Sequence, residues 1–117
     1  MLYVDSYVLA VPKKNLKAYL KMARDGERTW RKYGALDYKE CVGDDLKPKW
    51  GVPFTNLMKT KPGETVVFSF VVFKSKAHRN SVNAKVMKEM EKGPQPKDMP
   101  FDMKRMVYGG FKAVVGG

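Results

Sequence analysis

Cysteine and histidine are almost missing: the chain has one of each, Cys41 and His78. One thiol closes no intrachain bridge, and one imidazole makes no multi-Cys or multi-His cluster, so neither a disulfide nor a metal site is expected. Long apolar runs are missing too, since no segment approaches the ~18 consecutive apolar residues of a membrane span. The N-terminus has no basic region followed by a long apolar core, which points to a cytoplasmic protein with no signal peptide and no membrane partner. Acidic residues are scarce, with 12 Asp and Glu against 23 Lys and Arg, and the formal charge is +11. A balance of that sign suits solubility first, and anionic partners such as nucleic acid or a small anionic ligand second.

What is present is ample apolar material, 44% of 117 residues, read as one domain over 1–117. Its most telling segment is TVVFSFVVF, residues 65–73, apolar everywhere but Thr65 and Ser69. A strand with one wet face alternates, whereas a strand covered on both faces reads as a continuous run. Two surfaces must therefore cover it.

Residues 2–11 alternate as a strand, with Tyr3, Asp5, Tyr7 and Leu9 on one side and Val4, Ser6 and Val8 on the other. From Lys13 to Tyr33, apolar residues at Leu16, Tyr19, Leu20, Ala23, Trp30 and Tyr33 predict an amphipathic helix stopped by Gly34. Ala35 to Val42 reads as a more polar edge strand. A long loop follows over 43–63, with three Pro and three Gly. After the apolar strand, Ser75 caps a second helix through about Glu91, with Ala77, Val82, Val86, Met87 and Met90 as its buried stripe. A second loop over about 92–104 leads into a last strand, 105–115. The order is βαββαβ, an α+β ferredoxin-like plait with an antiparallel four-stranded sheet and the first and third strands at its centre.

Four segments, YVDSYVLAVPKKNLKAYLKMA, YGALDYKECVGDD, GETVVFSFVVFKSKAHRNSVNAKVM and MPFDMKRMVYGGFK, resemble the YbaA-like family of small, functionally uncharacterised bacterial proteins in the dimeric α+β-barrel superfamily. The resemblance implies a homodimer that pairs sheet to sheet, and the further expectation is a small ligand held in a cavity between sheet and helices. It implies no established activity. The expected dimer face is Tyr3, Phe68 and Phe70. Left open to water, each of those Phe side chains would forgo roughly 1.5–3 kcal/mol.

The same aromatics carry a rival. Phe68, Ser69, Phe70, Val71 and Phe73 approach the RNA-recognition pattern, although Val66-Val67 stands where that motif has a basic residue and Gly. Lys17, Lys21, Arg24, Arg28 and Arg31 recur every three or four residues along the first helix, a stripe that could follow phosphates. A solvated helix face is the ordinary alternative.

For chemistry, Asp5 and Tyr7 share one face of the first strand, and Tyr38 and Glu40 one face of the second. A carboxylate desolvated between sheet and cover is a candidate acid or base. His78 on the second helix looks like the haem ligand of related haem-degrading α+β-barrel enzymes, and cofactor-free monooxygenase or isomerase chemistry is the other form of that reading. The candidate catalytic residues are His78, Asp5 and Tyr7; the candidate ligand-binding residues are Tyr38, Glu40, Arg79 and Asn83. No reaction and no cofactor is assigned by the residues themselves.

Overall fold

The computed structural model describes residues 1–95 and 98–116. Strand β1 (Tyr3–Pro12) leads into helix α1 (Leu16–Lys32) and strand β2 (Asp37–Val42). A one-turn helix α2 (Phe54–Leu57) interrupts the long loop before β3 (Glu64–Phe73), and α3 (Lys76–Lys92) precedes β4 (Val107–Lys112). All pairings are antiparallel, in the order β2-β3-β1-β4, so the first and third strands occupy the centre as expected. This is the ferredoxin-like plait, α+β, with helices α1 and α3 on one face of the sheet. Among the described residues, no helix is long and apolar enough to cross a membrane.

Local chemistry explains the helix ends. Gly34, at φ 113°, takes a left-handed conformation that lets its N–H donate to Arg31 O at 3.1 Å and Ala35 N–H to Trp30 O at 3.0 Å. Ser75 Oγ accepts from His78 N–H at 3.0 Å and starts α3. The buried face of α3 differs from the predicted stripe. Val82 and Val86 are buried, whereas Ala77, Met87 and Met90 face water, because the helix turns Arg79 and Asn83 toward the sheet instead.

Register sets the faces. Tyr3, Asp5, Tyr7 and Leu9 of β1 lie opposite Phe73, Val71, Ser69 and Val67 of β3, and all look toward the helices. Val4, Ser6, Val8 and Ala10 lie opposite Val72, Phe70, Phe68 and Val66 on the other face. Tyr3 is therefore not on the face of Phe68 and Phe70, which corrects that expectation. Its ring packs with Val71, Phe73, Val82 and Val86 under α3. The RNA-recognition reading needs Tyr3, Phe68 and Phe70 together on one open face to stack bases, and with Tyr3 on the opposite side that platform is not assembled either.

The uncovered face is closed at one end. Met58 and Leu46, from the 43–63 loop, pack over Val8, Ala10 and Val66. Arg105 fastens that loop: its guanidinium donates to both Glu64 oxygens, at 2.8 and 2.6 Å, and to Lys59 O at 3.1 Å. The rest of the face is open, with Phe68 38%, Val107 43% and Phe111 59% exposed around a hollow of about 330 Å³. β4 is shorter than expected, and Val114 and Val115 beyond it are exposed. Residues 96 and 97 of the predicted 92–104 loop lie outside the described residues.

Candidate functional site

Beneath the helices the sheet carries a polar belt. Antiparallel register aligns Glu40 of β2, Ser69 of β3, Tyr7 of β1 and Tyr108 of β4 in one row across all four strands. In the next row Tyr38, Val71, Asp5 and Gly110 line up. Side chains on alternate strand positions share a face, so one period-2 pattern on each strand is enough to bring these groups together. Ser69 keeps the centre of the row low and is itself buried.

One end of the belt is held by α3. Asp5 is fully buried, and its Oδ2 accepts from Asn83 Nδ2 at 3.1 Å, while Asn83 Oδ1 accepts from Trp30 Nε1 at 3.0 Å. Arg79 Nη2 donates to Tyr3 Oη at 3.1 Å, and the guanidinium carbon lies 4.9 Å from the centre of the Tyr3 ring. Arg79 Nε stops 3.6 Å from Asp5 Oδ1, beyond hydrogen-bond reach, and neither atom has another partner. Their attraction is Coulombic. Tyr7 stacks on Tyr108 at 4.8 Å, and burial, followed by the nearby Asp5 carboxylate, pushes the Tyr7 phenol well above its ordinary value.

The other end meets α1. Glu40 Oε1 accepts from Tyr19 Oη and Oε2 from Tyr38 Oη, both at 2.7 Å. Burial raises the Glu40 carboxyl above the usual range, with the two phenols pulling it back down. Both phenols are themselves pushed up by burial and then by their bonds to Glu40. Tyr38 leans on Trp30 at 5.9 Å and passes beneath Gly26, where the helix has no side chain. The pair opens to water through a groove of about 300 Å³ between α1 and β2, lined in part by Arg24, Glu27 and Lys39. The arrangement can accept hydrogen bonds, hold a cation, or take up a proton at Glu40.

The candidates from sequence divide accordingly. Asp5, Tyr7, Tyr38, Glu40, Arg79 and Asn83 come together on or above the belt. His78 does not: Nδ1 accepts from Lys74 N–H at 3.0 Å, the ring stands edge-on to Phe73, and Nε2 lies against the turn at Gly34. Neither ring nitrogen is presented as a haem ligand would be, and the residues do not fit that group. Among the described residues, no three His, Cys, Asp or Glu side chains converge as a metal site would require. The basic stripe is broken, because Arg28 pairs with Asp25, and Arg31 with Glu27 and Asp37. Lys17, Lys21 and Arg24 are exposed, with no carboxylate within 4.0 Å among the described residues. Tyr19 and Trp30 were legible only as members of an apolar stripe. Nothing local in the sequence signals that their polar atoms reach Glu40 and Asn83.

Known proteins share the fold. The fold is shared with a dimeric ferredoxin-like protein from an uncultured marine organism, at TM-score 0.59 and 9% identity over 97% of each chain. The de novo designed protein Foldit4 follows at TM-score 0.50 and 10% identity, over 97% of this chain and 99% of that one. In sequence, the chain is 36% identical over 115 residues, 98% of either chain, to the uncharacterized protein YbaA of Escherichia coli K12, and equally to that of Shigella flexneri. Residues 2–103 match the profile of a protein family of unknown function, DUF1428, and with whole-length YbaA relatives beside that match, the chain belongs to this family.

Proposed function

We propose that this protein is a homodimer, closed through the open face of its sheet, that binds a small polar molecule in the groove between α1 and β2. The observation that carries the binding site is Glu40: a half-buried carboxylate, gripped by two phenols at 2.7 Å, at the edge of a groove large enough for a small molecule. Convergent polar groups in a concave site are what small-ligand recognition needs. The dimer is supported by Phe68, Val107 and Phe111, which no part of the described chain covers. A two-fold partner would lay the same patch on itself, and a stable contact should bury more than about 1,000 Å² in total.

Two measurements test this. A set of small polar fragments titrated into isotopically labelled protein should shift the resonances of Tyr38 and Glu40 ahead of those of β4. Sedimentation at micromolar concentration should give a dimer, and a monomer there would end the assembly half of the proposal. Acid–base catalysis on the bound molecule is a second reading, favoured by the raised pKa of Glu40. It predicts turnover by the wild type and none by Glu40→Gln at equal occupancy.

A further inference from the structure

Carboxylates in this protein are normally matched with cations. The buried Asp5, the half-buried Glu64 and the more open Asp37 and Glu89 each have a Lys or Arg nitrogen within 4.0 Å. Those without one, Asp44, Asp45, Glu91 and Asp98, are exposed to water. Among the described residues, Glu40 is the carboxylate that is both unpaired and withdrawn from water, in a chain with 23 Lys and Arg to choose from. An uncompensated carboxylate in such a place is costly.

Its hydrogen bonds narrow what can complete it. The Tyr19 and Tyr38 protons are committed to Glu40, so the valences left on all three groups are acceptor lone pairs. A ligand seated there must bring donors, and a positive charge would remove the mismatch. The rim has the opposite need. Of the cations that line the groove, Lys39 is paired with Asp37 at 2.9 Å, whereas Arg24 has no carboxylate within 4.0 Å among the described residues. Glu27, on the same rim, is taken by Arg31 at 3.0 Å.

We propose that the groove selects a small zwitterion of the amino-acid type, its ammonium group on Glu40 and its acid group on Arg24. This rests on the groove being a ligand site, as proposed above. An ammonium has three donors and no acceptor, which suits a floor made of lone pairs, and a guanidinium offers a carboxylate two parallel bonds. The acid end keeps the anionic character expected from the net charge. The cationic end is the new requirement.

The test is calorimetric titration of the full chain with γ-aminobutyrate, ε-aminocaproate, putrescine and butyrate at one ionic strength, with resonance shifts at Tyr19 and Tyr38 to locate binding. At least one amino acid should bind at the groove, with butyrate weaker by roughly tenfold or more, as expected for loss of a charge-assisted bond. Glu40→Gln should lower amino-acid affinity by about the same factor. Because that variant also disturbs the tyrosine pair, Arg24→Ala, at an exposed site, gives a second readout: it should weaken the amino acids and leave putrescine, whose second ammonium Arg24 repels, bound as well or better. Butyrate binding as well as the amino acids, or neutral fragments shifting Tyr38 while no ammonium compound does, would overturn the zwitterion and leave the groove a ligand site. If no compound of any class shifts Tyr19 or Tyr38, the groove itself fails as a site.

Discussion

On the helix side of the sheet, Asp5 is 0% and Ser69 5% exposed, while on the other side Phe68 is 38% and Phe111 59% exposed. The usual distribution is thus reversed in part: polar groups are hidden and aromatic ones shown. Exposed apolar residues taken singly are ordinary, but a contiguous open sheet face and a buried polar row are each informative. Each is incomplete in a different way. The open face has shape and no cover, so an apolar surface would finish it. The belt has cover, yet one of its carboxylates has no countercharge, so a polar ligand would finish it. Assembly and binding are on this view assigned to opposite faces and should fail separately.

The sharpest way to break that separation is Phe68→Glu. A carboxylate introduced into an apolar contact should weaken dimerisation by about a hundredfold or more, read as a shift to monomer in sedimentation. Ligand-induced shifts at Tyr38 should persist. Loss of both at once would mean that the two faces are not independent.

Asp5→Ala makes the converse cut. It leaves the Arg79 guanidinium, only 19% exposed, without its carboxylate and Asn83 without its acceptor. Breaking one side of a buried pair costs about 3–5 kcal/mol, and chemical denaturation should report that loss. The dimer should survive at concentrations where the variant stays folded. A cost near zero would show that Asp5 and Arg79 contribute nothing to holding α3 on the sheet.

How far the sequence could foresee this division depends on which contacts were local. The run 65–73 announced the strand, but of its two expected covers the described chain supplies the helices and, on the other face, only Met58 and Leu46 at one end. The sites of the helix caps, Ser75 and Gly34, were readable because caps are local chemistry. The two faces of β1 followed from parity. Which face of β1 lay with which face of β3 did not, because strand register is a non-local property, and Tyr3 was misplaced for that reason. The inward turn of Arg79 and Asn83 was hidden for another reason: a periodicity of apolar residues cannot find a helix face that is buried because its polar groups are bonded. That periodicity marks Val82 and Val86, which are buried, and equally Met87 and Met90, which are exposed. For the site, Tyr38 and Glu40 were visible as a pair on one strand. Tyr19, which completes them from a helix 21 residues earlier, was not.

A milder perturbation separates the belt from the loop anchor by pH. Glu40 has a raised carboxyl in the folded protein, so the folded state holds its proton more tightly than the unfolded state does. Stability should therefore fall as pH rises from the ordinary carboxylate range through the higher folded value. Glu64 has the opposite sign: Arg105 holds it down at about 2, giving stability that is present above the ordinary range and lost as pH falls toward that value. Melting temperatures of Glu40→Gln and wild type, compared from acid to neutral pH, should show the variant gaining on the wild type as pH rises. A difference that does not change with pH would mean that Glu40 titrates alike in both states.

The smallest expected effect concerns how the belt is adjusted. Gly26 lies in the middle of α1, where Ala would ordinarily add about 1 kcal/mol of helix propensity. A β-carbon at that position would sit 3.2 Å from Tyr38 Oη and 3.5 Å from the Trp30 ring, so the phenol must retreat by a few tenths of an ångström. The gain and the crowding oppose each other, and the net change in stability for Gly26→Ala should stay within about 1 kcal/mol. What should move is Glu40, because the Tyr38 bond is one of the two that pull its carboxyl down. Weakening that bond raises the Glu40 titration midpoint further, which carboxyl carbon shifts would detect, while sedimentation stays that of the wild type. An unmoved midpoint would mean that Tyr38 does not hold Glu40 in solution, and the glycine would then be explained by packing under Trp30 alone. A raised midpoint at unchanged stability would identify Gly26 as the place where α1 gives up helix propensity so that a phenol from the edge strand can reach the carboxylate.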